Sequence, residues 1–433
     1  MAGEIYTQSV QVGKQASAHA AVAATRRVYV MSPSITRERE SRPKAFATGD
    51  RSPVRAHRSG PAIVAGSIQT GCVADELLEW LEATFGAGIV TTPAGATNAR
   101  RHTYTPGDPS YITVEHNDGA RLWQGIGMRC NGMNVSLSVA GEVTVTFPLF
   151  GLERQPLDAM TPALAERTPP TTEGWETRFY CDALGGTPGT TRIDDVLAAA
   201  DISFTNNLGR KYLASNRREA SKLPAGVIGL TGSLRMEASE ALALAEYLNW
   251  EADTYRLFRL EIGNNDIIDA GTNEEQTITI DATGGTFTIS WNPGSGVETT
   301  GAIPWNASAA QVKAALLALP SLVYGDIEVE LASLVYTLEF KGRYSGMNVP
   351  AVTTGVGSLT GGASTAVVAT SVPGVAGFKK LVWFDVPMAY TGVDTNQEGE
   401  GTREYQFPFH YVYDPTLAAA IKVTAQTNRT AAF

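Results

Sequence analysis

Charge is scarce in this 433-residue chain, where Asp, Glu, Lys and Arg together supply only 18% of the residues. So large a protein with so little charge is expected to have much of its surface covered by partners. Cysteine is scarcer still. Cys72, Cys130 and Cys181 lie far apart and no CxxC occurs, which argues against a disulfide framework or a zinc site and for a reducing environment. The histidines His19, His57, His102, His116 and His410 show no HxxxH or HExxH spacing, so metal-dependent hydrolysis has no support. No GxSxG elbow is present. Gly185-Gly186-Thr187-Pro188-Gly189 lacks the Lys-Ser/Thr of a phosphate-binding loop and reads as a turn. The apolar runs are too short to span a bilayer, and Met1–Val10 has no basic stretch followed by an apolar one. The expectation is a protein made in a cytoplasm, with no membrane partner, no cofactor, no metal and no enzymatic activity.

What is present is glycine and proline, 43 and 22 residues, in a chain that is 43% hydrophobic. That composition suits a turn-rich globular protein, and the length suits about three domains. The net charge of −10 is unevenly spread. Residues 1–60 hold the cations Lys14, Arg26, Arg27, Arg37, Arg39, Arg42, Lys44, Arg51, Arg55 and Arg58 against Glu4, Glu38, Glu40 and Asp50, which leaves the body acidic. A basic arm on an acidic body is the pattern of head-to-tail self-association by charge complementarity. Nucleic-acid binding is the weaker alternative, because acids interrupt the arm and only Tyr29 and Phe46 interleave it.

Two signals recur. Gly66-Ser67-Ile68 returns as Gly232-Ser233-Leu234, and Phe147-Pro148 returns as Phe407-Pro408. In the first copy, Thr25–Met31 reads as an opening strand and Ser32–Gly60 as a long loop without periodicity. Ala62–Thr70 follows as a strand. Ala74–Phe85 then reads as a helix with Leu77, Leu78, Leu81 and Phe85 on one stripe, ended by Gly86 and Gly88. Tyr111–Glu115, Leu122–Met128 and the hairpin Asn134–Val139/Val143–Leu149 complete it. The second copy runs in the same order. Strand Asp201–Thr205 and the basic loop Asn206–Gly226 precede Val227–Glu237. Helix Ser239–Trp250, with Ser239 as N-cap, leads to strands Arg256–Ile262, Lys379–Pro387 and Glu404–Tyr413. The alternation of Tyr405, Phe407, Phe409, Tyr411 and Tyr413 reads as one face of a packed strand rather than a sugar platform, and Glu398 and Glu400 as solvated loop acids.

A foreign segment interrupts the second copy. Gln276–Asp281, Gly285–Trp291, Ile327–Glu330 and Tyr336–Phe340 alternate as strands, Asn306–Leu319 reads as a helix capped near Ser308, and Ser358–Val368 as a last glycine-rich strand. The fold class expected is mainly β (α+β). Tandem β-sandwich or barrel modules, each with one short helix, span 1–166 and 167–272 with 376–433, and a small β-rich domain is inserted at 273–375.

The runs "GPAIVAGSIQT…ADELLEWLEATFG" and "GMNVSLSVAGEVTVTFPLFG" resemble the tail tube (major tail) proteins of long-tailed bacteriophages, and "GLTGSLRMEASEALALAEYLNW…RLFRLEI" is similar to the same pattern. The insert resembles the small Ig-like modules that decorate phage structural proteins. The resemblance implies a structural subunit of the virion tail, assembled in the host cytoplasm into stacked rings whose lumen passes the genome during ejection. The implied partners are further copies of the chain, tape-measure and terminator or tip proteins, and DNA without sequence-specific binding. A duplicated module implies a trimeric ring with pseudo-sixfold symmetry, with a hexameric ring as the alternative. Long loops in such proteins reach the neighbouring ring, so Arg37, Arg39, Arg42, Lys44, Arg51, Arg210, Lys211, Arg217 and Arg218 are the candidate inter-ring contacts. Such a tube would keep DNA from sticking with an acidic lumen. The other function to weigh is a carbohydrate-binding or adhesin-like β-protein that uses the insert.

Overall fold

A computed structural model of the chain describes residues 8–45, 54–165, 172–214, 217–238, 241–292, 296–397 and 403–433. The fold is mainly β with antiparallel sheets. It divides into two compact units: residues 1–92, 100–266 and 380–433 form the first, and residues 93–99 with 267–379 the second.

Two sets of strands build the first unit. In the N-terminal set the hydrogen-bonded order is Ser32–Ala45, Val54–Gly71, Thr144–Gly151, Leu122–Cys130, Ile112–Asn117, Ser9–Lys14 and Arg26–Val28. In the C-terminal set it is Leu197–Thr205, Gly229–Glu237, Arg403–Tyr411, Phe378–Tyr390, Arg256–Asp269, Arg178–Ala183 and Arg192–Ile193. In each set a later strand returns to the same place: Glu153–Pro156 pairs Leu122–Cys130, and Lys422–Thr427 pairs Phe378–Tyr390.

The recurring dipeptides face each other across these ladders. Ser67 stands opposite Pro148 and Ile68 opposite Phe147, while Ser233 stands opposite Pro408 and Leu234 opposite Phe407. Strict alternation sends Val145, Phe147 and Leu149 into the core and leaves Thr144, Thr146 and Pro148 half-buried on the other face. Phe147 and Phe407 are fully buried.

Helix α1 (Ala74–Phe85) has no side-chain cap at Val73, but Asp75 and Glu76 suit its positive end, and Gly86 at φ +90 stops it. Helix α2 (Ala241–Glu251) occupies the same place in the order of the C-terminal set.

The second unit has its own core. One sheet joins Ile327–Ala332, Val335–Phe340, Glu275–Asp281 and Thr365–Val372, and the other joins Gly284–Trp291 to its neighbours Glu298–Thr299, Ile303–Pro304 and Thr353–Thr360. Ile278 and Phe340 of the first sheet pack in one cluster with Phe287 and Trp291 of the second, and with Val312 and Leu316 of helix α3 (Ala309–Leu316). Ser308 caps α3, accepting from the Gln311 amide at 3.3 Å while its own amide donates to Gln311 Oε1 at 2.8 Å. At the neck, the Thr272 and Val375 backbones bond reciprocally at 3.0 Å. The sequence-derived segment 273–375 lies inside this unit, which also takes in Pro93–Ala99 through bonds from the Thr97, Asn98 and Ala99 amides to Asp269.

Three sequence expectations change. Ser32–Gly60 is not a long loop: its described residues are the strands Ser32–Ala45 and Val54–Gly71, a hairpin whose outer part lacks alternation because both faces are exposed. The counterpart of Leu197–Thr205, the strand beside the Gly-Ser strand, is therefore Ser32–Ala45 rather than the opening strand Thr25–Met31, which pairs with Ser9–Lys14. Ser358–Val368 is two strands rather than one, Thr353–Thr360 and Thr365–Val372, because Gly361 and Gly362 at φ +70 and +61 turn the chain. Ser239, Glu398 and Glu400 lie outside the described residues.

Candidate assembly surfaces

The strand Gly132–Ser138 joins the two sets. It pairs Thr144–Gly151 on one side and Leu197–Thr205 on the other, giving one continuous sheet. Directly opposed residues form rows across it, and one row reads Gln69, Thr146, Asn134, Ser203, Thr231 and His410. Ser136, Asp201, Ser233 and Pro408 form the next. Ser203 Oγ donates to Asn134 Oδ1 at 2.8 Å and Ser136 Oγ to Asp201 Oδ1 at 2.9 Å. The opposite face carries Val135, Val145, Ile202 and Phe409 into the core. One face of this sheet is thus a band of hydroxyls and amides, and its cation Arg235 is held by Glu404 at 3.0 Å.

Two glycines permit the close packing of these strands. A Cβ on Gly66 would stand 1.9 Å from the Ser34 carbonyl oxygen, and one on Gly232 would stand 2.2 Å from that of Asp201. No side chain fits at either place.

The hairpin of Ser32–Ala45 and Val54–Gly71 outruns the sheet. Thr144–Gly151 supports it only between Val64 and Gly71, and the Ala62 amide donates to the Arg218 carbonyl at 2.9 Å. Beyond that point it is a two-stranded ribbon among the described residues, a form marginally stable in water without further cover.

The candidate cations divide by surroundings. Arg37 is bound to Glu219 of the basic loop. Burial raises the Glu219 carboxyl, but backbone amides and Arg37 outweigh it and hold the group below the usual carboxylate range. The Arg210 guanidinium lies over the Phe150 ring at 3.9 Å. Lys211 bridges the loop to Lys222 by backbone pairing, and Arg217 Nη1 lies 3.3 Å from His19 Nδ1. The exposed Arg42 is paired with Glu40 at 2.6 Å, which raises its pKa. Arg39, Lys44 and Arg218 are exposed, and Arg51 lies outside the described residues. Arg37 and Arg210 are thus spent within the chain, a role their sequence setting gave no sign of. Arg129, which sequence reasoning missed, ties the loop down: its Nη1 donates to Leu223 O at 2.9 Å and its guanidinium lies over Tyr111.

The two helices differ in cover. Each carries a buried glutamate bound to arginine, Glu79 to Arg429 at 2.6 Å and Glu246 to Arg256 at 2.7 Å. Aligned on these pairs, Leu77 and Leu81 of α1 correspond to Leu244 and Leu248 of α2. The first two are fully buried, whereas the second two are 50% and 54% exposed. The C-terminal set walls in α1: the helix packs on Lys422–Thr427, Phe204 lies against Phe85 at 4.8 Å, and Asn206 Nδ2 donates to Thr84 O at 2.7 Å.

The three cysteines are free and buried, and burial pushes the Cys130 thiol up to about 12. Among the described residues no group of three or more His, Cys, Asp or Glu could hold a metal ion, and no helix is long and apolar enough to cross a membrane.

No curated protein matches the chain. The model of the phage tail tube protein family matches residues 7–283, from the first described strand through α2 and into the second unit. With well over half its length matched, the chain belongs to the phage tail tube protein family, structural proteins of the virion tail that assemble with copies of themselves.

Proposed function

We propose that each chain contributes two tube modules, residues 1–166 and residues 167–272 with 376–433, and that three chains close a ring of pseudo-sixfold symmetry. The observation that carries this reading is the strand order, repeated in the two sets with the Ser67–Pro148 and Ser233–Pro408 pairs at the same place. Rings stack into a tube in the virion, after assembly in the host cytoplasm with tape-measure and terminator proteins. The hairpin ribbon with Arg39, Arg42 and Lys44, and the basic loop with Lys211, Arg217 and Arg218, meet the neighbouring ring; Arg37 and Arg210 brace these elements from within.

The hydroxyl and amide face of the continuous sheet lines the lumen in this reading. Phosphate affinity rises with each free Lys or Arg presented to it. A wall of Asn134, Ser136, Ser203, Thr231 and Ser233, with Arg235 neutralised by Glu404, gives DNA little to hold as it passes. The domain at 273–375 is a graft that decorates the tube.

Electron microscopy of purified protein and of virions tests the reading. End-on class averages should show six modules from three chains. A species that stays monomeric with its assembly partners present overturns it.

A further inference from the structure

We propose that the junction inside one chain is repeated between copies. The strand Asp394–Gln397 pairs with Ser32–Ala45 of the next copy, and the exposed face of α2 is covered by the N-terminal strand set of that copy. The inference rests on the ring reading above and adds to it a register and a buried helix face.

The register follows from the internal pairs. Gly132–Ser138 stands beside the Phe-Pro strand with Asn134 opposite Thr146. Asp394–Gln397 stands beside the second Phe-Pro strand with Asp394 opposite Gln406. Counted from Phe147 and Phe407, Asp394 holds the position of Asn134. On the other side of the junction, Ser203 follows Ile202, which is opposite Gly232, and Thr36 follows Ile35, which is opposite Gly66. Asn134 is opposite Ser203 within the chain. The equivalent pair between copies is Asp394 and Thr36.

Both strands are free to make it. Among the described residues Ser32–Ala45 is paired on one side only, as is Asp394–Gln397. Thr36 and Asp394 are exposed, as Ser203 and Asn134 are. Unpaired strand edges are templates for adding a strand. The chemistry matches too: Thr36 Oγ1 makes only a long 3.3 Å bond to the Ala65 carbonyl within the chain, and the Asp394 carboxylate offers it an acceptor like the Oδ1 that Ser203 finds on Asn134 at 2.8 Å.

Helix α2 gives the second, independent observation. The C-terminal set of the same chain seals α1, and nearly all of α1 is buried; in α2 only Ala243 and Glu246 are. Leu242, Leu244 and Leu248 are left 43%, 50% and 54% exposed. If the junction repeats, the set that follows α2 is the N-terminal set of the next copy, and Glu153–Pro156 holds there the place that Lys422–Thr427 holds over α1.

Cysteines at Thr36→Cys and Asp394→Cys test the register in the assembled full-length protein. Directly opposed strand residues bring Cα atoms to about 4.5–5.5 Å, within disulfide range. The native thiols are buried and do not compete. Oxidation should convert the double variant into a covalent ladder that ends at the closed ring, and each single variant should assemble normally and give no ladder. Glu40→Cys with Asp394→Cys, four residues off register, should give none. For the helix, Leu244→Asp with Leu248→Asp should leave the melting temperature of the unassembled chain unchanged and abolish ring formation. Tubes that form from the double-cysteine variant without a ladder, or with one from the off-register pair, overturn the register while the ring reading stands. Tubes of normal yield from the leucine variant overturn the covered helix face. A wild-type protein that never forms rings overturns both the inference and the reading beneath it.

Discussion

Gly232 runs so close to Asp201 that a Cβ on the glycine would stand 2.2 Å from the Asp201 carbonyl oxygen and 2.4 Å from the Phe409 ring. Gly66 meets Ser34 in the same way. Gly232→Ala must push two strands apart beside a buried phenylalanine, and overpacking of this kind costs about 1–3 kcal/mol. Thermal unfolding should show a lower melting temperature for Gly232→Ala and for Gly66→Ala. An unchanged value for both would mean that the ladder tolerates a wider spacing.

Glu246 is buried against Arg256 and accepts the Tyr390 hydroxyl at 2.8 Å. Removing the acid leaves the guanidinium uncompensated, a loss of about 3–5 kcal/mol for a buried pair. Denaturant titration of Glu246→Ala should show that order of destabilisation, and Glu79→Ala, which strands Arg429, should behave alike.

Arg39 and Lys44 lie on the exposed part of the hairpin. Arg39→Glu with Lys44→Glu should leave the melting temperature unchanged and shorten the tubes seen by electron microscopy, more so at low salt, where screening is weakest. Arg37→Glu should act differently, because repulsion from Glu219 lowers the stability of the chain itself.

Thr272 and Val375 exchange backbone hydrogen bonds at 3.0 Å, so the ends of segment 273–375 already meet. Joining Thr272 to Ala376 through a short glycine linker should leave a soluble chain that still forms tubes. Aggregation of that variant on expression would make the segment integral to folding.

His102 and His116 are buried, and burial lowers both imidazole pKa values below the ordinary one. The folded chain holds them neutral, whereas the unfolded chain takes up protons below about pH 6.5. Stability is therefore full above that pH and falls below it, by at most about 1.4 kcal/mol per pH unit for each proton taken up. The lowered carboxylates, such as Asp118 and Asp414, give their full stabilisation above the ordinary carboxylate range and lose it only as the pH falls below that range, so melting curves between pH 7 and pH 5 report on the histidines. His116→Gln should remove part of the slope.

The sequence by itself determined the elements that alternate or repeat. Period-two runs such as TVTFPLFG and REYQFPFHY have one partner face to bury, and the stripe of Leu77, Leu78, Leu81 and Phe85 has one side, so local pattern sufficed for strands and for α1. Ser308 likewise announced α3, although the helix is shorter, Ala309–Leu316, than the Asn306–Leu319 expected. The tertiary structure alone decided the rest. The outer hairpin has no apolar face to mark it as a strand, because backbone pairing rather than burial holds it. Arg37 and Arg39 are alike in sequence, yet one meets Glu219 across 182 residues and the other meets solvent. Leu81 and Leu248 likewise occupy matching helices, and only the neighbouring strand set seals one and leaves the other open. Pattern records what a residue needs to bury; which surface covers it depends on contacts that the linear chain does not encode locally.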